Sequence, residues 1–71
     1  MKLSPKDGRQ VIKILCNDFG FQAVRQKGSH VTLTNGKIYI TVPANRVGIG
    51  LLDTILKDAE INKEEFLKVD C

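Results

Sequence analysis

The sequence predicts an α+β fold on three observations: a capped amphipathic first segment, three short alternating stretches punctuated by glycines, and a second helically spaced apolar run after Pro43. The expected order is helix, three-stranded antiparallel sheet, helix and short C-terminal helix. Seventy-one residues with 42% apolar content suit a single core, hence one domain over 1–71. So short a chain leaves little room for an enclosed pocket, and any site is expected to be shallow.

Ser4-Pro5 followed by Asp7 reads as a helix start, with serine as N-cap, proline at the first helical position and an acid in the first turn. The helix runs to about Asp18. Val11, Ile12, Leu15, Cys16 and Phe19 form its apolar stripe, and Gly20 is placed to stop it. Gly8 is out of place in a first turn, costing about 0.5–1 kcal/mol relative to alanine, and this marks a close approach of another backbone or of a ligand, packing being the favoured cause.

The strands follow. Asn35-Gly36 is a strong hairpin signal, and a two-residue loop there pairs Leu33 with Ile38, Val31 with Ile40 and His30 with Thr41. Val31, Leu33, Ile38, Ile40 and Val42 then share one face; His30, Thr32, Thr34, Lys37, Tyr39 and Thr41 share the other. A second two-residue turn at Lys27-Gly28 adds Val24 to the apolar row and sets Arg25 opposite His30. Pro43 ends the third strand because it lacks an N–H, and Ala44 to Gly48 read as a connecting loop. A second helix from Ile49 carries Leu51, Leu52, Ile55, Leu56 and Ala59 toward the sheet. Asn62 with Glu65 resembles a capping box for a last helix, whose Phe66 and Leu67 need a partner.

Charge is unevenly spread. Through Arg46 there are eight Lys or Arg against two Asp, a net +6, while the remainder is net −3. A basic front half suits a polyanion such as RNA or DNA, because neutralising phosphates releases counterions. Cys16 and Cys71 have no metal-ligand spacing, so no metal or cofactor is expected and the chain reads as a reduced cytoplasmic protein. No apolar run approaches the ~18 residues of a membrane span, and Met1-Lys2-Leu3-Ser4-Pro5 lacks a signal-peptide core.

His30 is the single histidine, placed on the open sheet face just after Gly28-Ser29. Imidazole is the one unmodified side chain whose ordinary pKa, ~6.5, lets it exchange protons near neutrality without help from burial.

Together, Arg25-x-x-Gly28-Ser29-His30, the Asn35-Gly36 turn, Val42-Pro43, Gly50-x-Leu52-x-x-Ile55-Leu56-Lys57-x-Ala59 and Glu65-Phe66-Leu67 resemble the HicA (YcfA-like) toxin family over nearly the whole chain. The resemblance implies a double-stranded-RNA-binding-domain-like α-β-β-β-α fold and a metal-independent mRNA interferase held inactive by a HicB-type antitoxin. It assigns the catalytic histidine of the family to His30. Around it, Arg25, Lys27, Gly28, Ser29, Lys37, Tyr39 and Arg46 are the expected RNA-binding residues. Arg25 is suited to holding the scissile phosphate. For Ser29 two roles stay open, fixing the turn or donating to a phosphate oxygen; for Tyr39 they are stacking a base and filling the sheet surface. Arg46 with the amides near Gly48-Ile49-Gly50 would form a phosphate site.

The chain departs from the family pattern at three places. Ala44-Asn45-Arg46 stands where many relatives carry a further histidine, Asp53 replaces a usually basic residue, and Glu60 replaces a glycine. A non-catalytic RNA-binding module therefore remains the alternative, and a protein-binding adaptor using the open sheet a third class.

Overall fold

The computed structural model describes residues 4–69; Lys2 and Cys71 lie outside them. Two strands of two residues, β1 (Lys6–Asp7) before the first helix and β5 (Arg46–Val47) between the main sheet and the second helix, accompany the main elements. These are helix α1 (Gly8–Asp18), strands β2 (Gln22–Lys27), β3 (His30–Thr34) and β4 (Tyr39–Pro43), and helices α2 (Ile49–Asp58) and α3 (Lys63–Val69). The fold is α+β, with the antiparallel sheet β2-β3-β4 packed against helices.

Helix α1 begins later than Ser4-Pro5 predicts. Lys6–Asp7 is extended and paired with β5, Lys6 opposite Val47 and Asp7 opposite Arg46, so tertiary pairing overrides the local cap signal. Asp7 is the N-cap, its carboxylate accepting the Arg9 N–H at 2.9 Å. The expected close approach at Gly8 is present. Its N–H donates to the Asn45 carbonyl, and a Cβ there would overlap the carbonyl oxygens of Pro43 and Asn45. Val11, Ile14 and Leu15 are buried, with Ile12, Cys16 and Phe19 packed against the core at its margin. Ile14, three residues after Val11, joins the buried face beyond the predicted stripe.

Both hairpins differ from the predicted register, each by two residues. Lys27, not Arg25, lies opposite His30, and His30 faces Pro43 rather than Thr41 on its other side. A two-residue displacement leaves the side chains of β3, β4 and the Arg25–Lys27 end of β2 on their predicted faces because the strand period is two. Val31, Leu33, Ile40 and Val42 accordingly are buried together, and His30 is exposed. The second loop spans Asn35–Ile38 because side chains take its amides. Asn35 Oδ1 accepts from Lys37 and Ile38, while Thr34 Oγ1 accepts from Gly36 and donates to the Ile38 carbonyl. Only Gly36 in this loop has positive φ, which excludes the type I′ turn that the two-residue loop assumes. Ile38 thereby leaves the strand and is half-buried. A bulge between Ala23 and Arg25 moves Val24 out of the apolar row, to 50% exposure.

The predicted loop at Ala44 to Gly48 contains β5, whose Val47 is fully buried. In α2, Leu52, Ile55 and Leu56 enter the core and Ala59 follows, but Leu51 faces out at 44% exposure. Asn62 caps α3, its Oδ1 accepting from Glu64. The partner that Phe66 needs is Phe19, stacked at a centroid distance of 6.5 Å.

Candidate active site on the open sheet face

The residues that position His30 form a tight turn. Gly28 has φ +62 and Ser29 does not share the positive sign, which is the pattern of a type II′ turn with glycine first. A Lys27-Gly28 type I′ turn would have demanded positive φ of lysine. The Gln26 side-chain amide donates to the Gly28 carbonyl at 3.1 Å. Behind the turn, Pro43 has no N–H to give, and the Ala44 N–H donates to the Ser29 carbonyl instead. His30 thus stands on a turn clamped at its backbone from two sides.

Directly opposite pairs place Cβ atoms about 4.5–5.5 Å apart and diagonal ones about 7–8 Å. Lys27 is therefore the near cation of His30, while Arg25, opposite Thr32, lies on the diagonal of the same face. The open surface around His30 is completed by Thr32 and Thr41, which pair with each other. Lys27, Arg25 and His30 form no side-chain hydrogen bond or ion pair among the described residues, which leaves them free for a ligand. An anion entering above His30 meets two cations and two hydroxyls, and among the described residues the three paired strands carry no carboxylate.

The remaining predicted residues separate. Tyr39 shares the open face but sits opposite Thr34, four residues along β3, or about 13 Å from His30. Tyr39 is 73% exposed. Lys37 lies beyond it in the Asn35–Ile38 loop. Ser29 is half-buried, and the turn uses its backbone. Arg46 is on β5 opposite Asp7, outside the three-stranded sheet, and the cleft it lines at the start of α1 does not include Gly48-Ile49-Gly50. Lys6 and Arg9, absent from the expected set, line that same cleft. No spacing in the sequence signals that grouping, since 37 positions separate Arg9 from Arg46.

Among the described residues no group of three or more His, Cys, Asp or Glu is placed to hold a metal ion, and no helix is long and apolar enough to cross a membrane. None of the curated proteins matches the chain. The family model for the HicA toxin of bacterial toxin-antitoxin systems matches residues 8–61, from the glycine that abuts Asn45 to the residue after Glu60, and includes the whole sheet. With three-quarters of its length so matched, the chain belongs to the HicA toxin family.

Proposed function

We propose that this HicA-family toxin is a metal-independent endoribonuclease, an mRNA interferase, that cleaves single-stranded RNA with His30 as its proton-transfer group. The observation that carries the reading is the placement of an exposed imidazole beside Lys27, with Arg25 on the diagonal, over a backbone-clamped turn. His30 takes the proton of a ribose 2′-OH as its oxygen attacks the adjacent phosphorus. The bond from phosphorus to the 5′-oxygen then breaks, leaving a 2′,3′-cyclic phosphate and a 5′-hydroxyl. The leaving oxygen receives its proton from the imidazolium or from water. Lys27 and Arg25 offset the charge that builds on the phosphoryl oxygens. In the cytoplasm a HicB-type antitoxin restrains this activity by covering the face that bears His30, and acidic side chains on that partner would complement Lys27 and Arg25.

Wild type and His30→Ala are incubated with a long RNA in EDTA. Cleavage by wild type alone supports the proposal. Equal degradation by both removes His30 from the mechanism, and loss of wild-type cleavage in EDTA would call for a metal. The second reading, an RNA-binding module without catalysis, has one observation in its favour: His30 is the sole histidine and, among the described residues, none of the strand residues paired around it is a carboxylate that could serve as a second acid or base. RNA binding without cleavage by wild type would establish that reading.

A further inference from the structure

Beside the start of α1 an open cleft of about 550 Å³ is lined by Lys6, Asp7, Arg9, Asn45 and Arg46. Three cations thus face one carboxylate, and an oxygen of that carboxylate is already engaged by the Arg9 N–H. Neither Arg9 nor Arg46 has an ion-pair partner among the described residues.

The cleft belongs to the same end of the molecule as His30. Pro43 faces His30 in the sheet, Ala44 is bonded to Ser29, and Asn45 is bonded to Gly8 at the head of α1. From Pro43 to Arg46 is three residues, so the chain between them spans at most about 10 Å. Arg9 also lines the groove beneath the sheet with Gln26 and Ala44, the residues that brace the His30 turn. Arg46 of the cleft therefore lies within one short chain span of the residue that faces His30.

We propose that this cleft is a second phosphate subsite, in which Lys6, Arg9 and Arg46 hold a backbone phosphate of bound RNA a few nucleotides from the one at His30. This inference rests on the endoribonuclease reading and adds a substrate-holding site to it. No aromatic side chain lines the cleft, so it grips the backbone and contributes affinity without choosing a base. An acidic protein segment would satisfy the same charges, but continuity with the reacting position favours RNA.

Binding of a fluorescent single-stranded RNA is measured across a salt series with full-length protein carrying His30→Ala, so that the substrate stays intact. Adding Arg9→Gln and Arg46→Gln should weaken binding roughly tenfold at low salt and lower the slope of log K against log salt by ~0.7 for each lost contact. Arg9→Lys with Arg46→Lys should restore most of the affinity, which separates lost charge from damaged folding. Removing the same charge on α3, with Lys63→Gln and Lys68→Gln, should have a much smaller effect. Equal losses from both double variants would overturn the subsite in favour of a diffuse charge effect. Unchanged RNA affinity with weakened antitoxin binding would reassign the cleft to the protein partner. RNA bound normally without the cleft arginines sinks the subsite alone, whereas no RNA binding by any variant sinks it together with the endoribonuclease reading.

Discussion

Lys27 stands directly opposite His30 across the Gly28-Ser29 turn, and Arg25 is displaced to the diagonal. The pairing decides which cation is nearest the imidazole. Because the turn is two residues long and clamped through Ser29 and Gly28, there is little slack by which the two could exchange places.

It follows that Lys27→Gln should reduce RNA cleavage more than Arg25→Gln. Loss of a charge beside developing phosphoryl charge on an exposed surface is expected to slow the reaction by about tenfold, below the 10²–10³ typical of a buried oxyanion donor. Initial rates at saturating RNA for the two variants make the comparison. A larger loss from Arg25→Gln would show that guanidinium reach, not register, governs the contact.

Gly8→Ala should destabilise the protein. On helix propensity alone alanine would be favoured by about 0.8–1.0 kcal/mol. Here the new methyl meets the backbone carbonyls of Pro43 and Asn45, which cannot rotate away, and the penalty is set by overpacking at about 1–3 kcal/mol. The melting temperature should therefore fall, by about 4–8 °C per kcal/mol for a domain of this size. A rise would mean that the α1 to Asn45 contact is not made.

Glu60→Gly should have the opposite sign. Glu60 is the one non-glycine residue with positive φ among the described residues, at 59°, and it closes α2. Its N–H donates to the Lys57 carbonyl and that of Ile61 to the Leu56 carbonyl, the double return of a Schellman motif that favours glycine at this position. Relief of the left-handed strain, with removal of an acid from the negative end of the helix dipole, should stabilise by about 1 kcal/mol. Thermal denaturation of the two proteins measures it, and a lower midpoint for the glycine variant would contradict the assignment.

Much of the fold was written locally. The alternation through Val31, Leu33, Ile40 and Val42 determined which residues would be buried and that His30 would face outward, and it did so despite a wrong register, because a displacement of two residues preserves the face. The helical spacing of Leu52, Ile55 and Leu56 marked their burial equally well. That a glycine turn joins the first two strands was legible, but its position was not: the expected Lys27-Gly28 pair gives way to Gly28-Ser29, because glycine tolerates the positive φ at the first place of a type II′ turn and lysine does not. Other features have no local signature. Helix α1 starts at Gly8 and not at Pro5 because Arg46–Val47 holds the preceding residues extended. The Lys6, Arg9 and Arg46 cleft exists only because Asn45 and Gly8 touch. Short-range periodicity reports the environment each side chain needs, whereas the partner that supplies it across the chain is chosen by packing, and that choice placed the charges around His30.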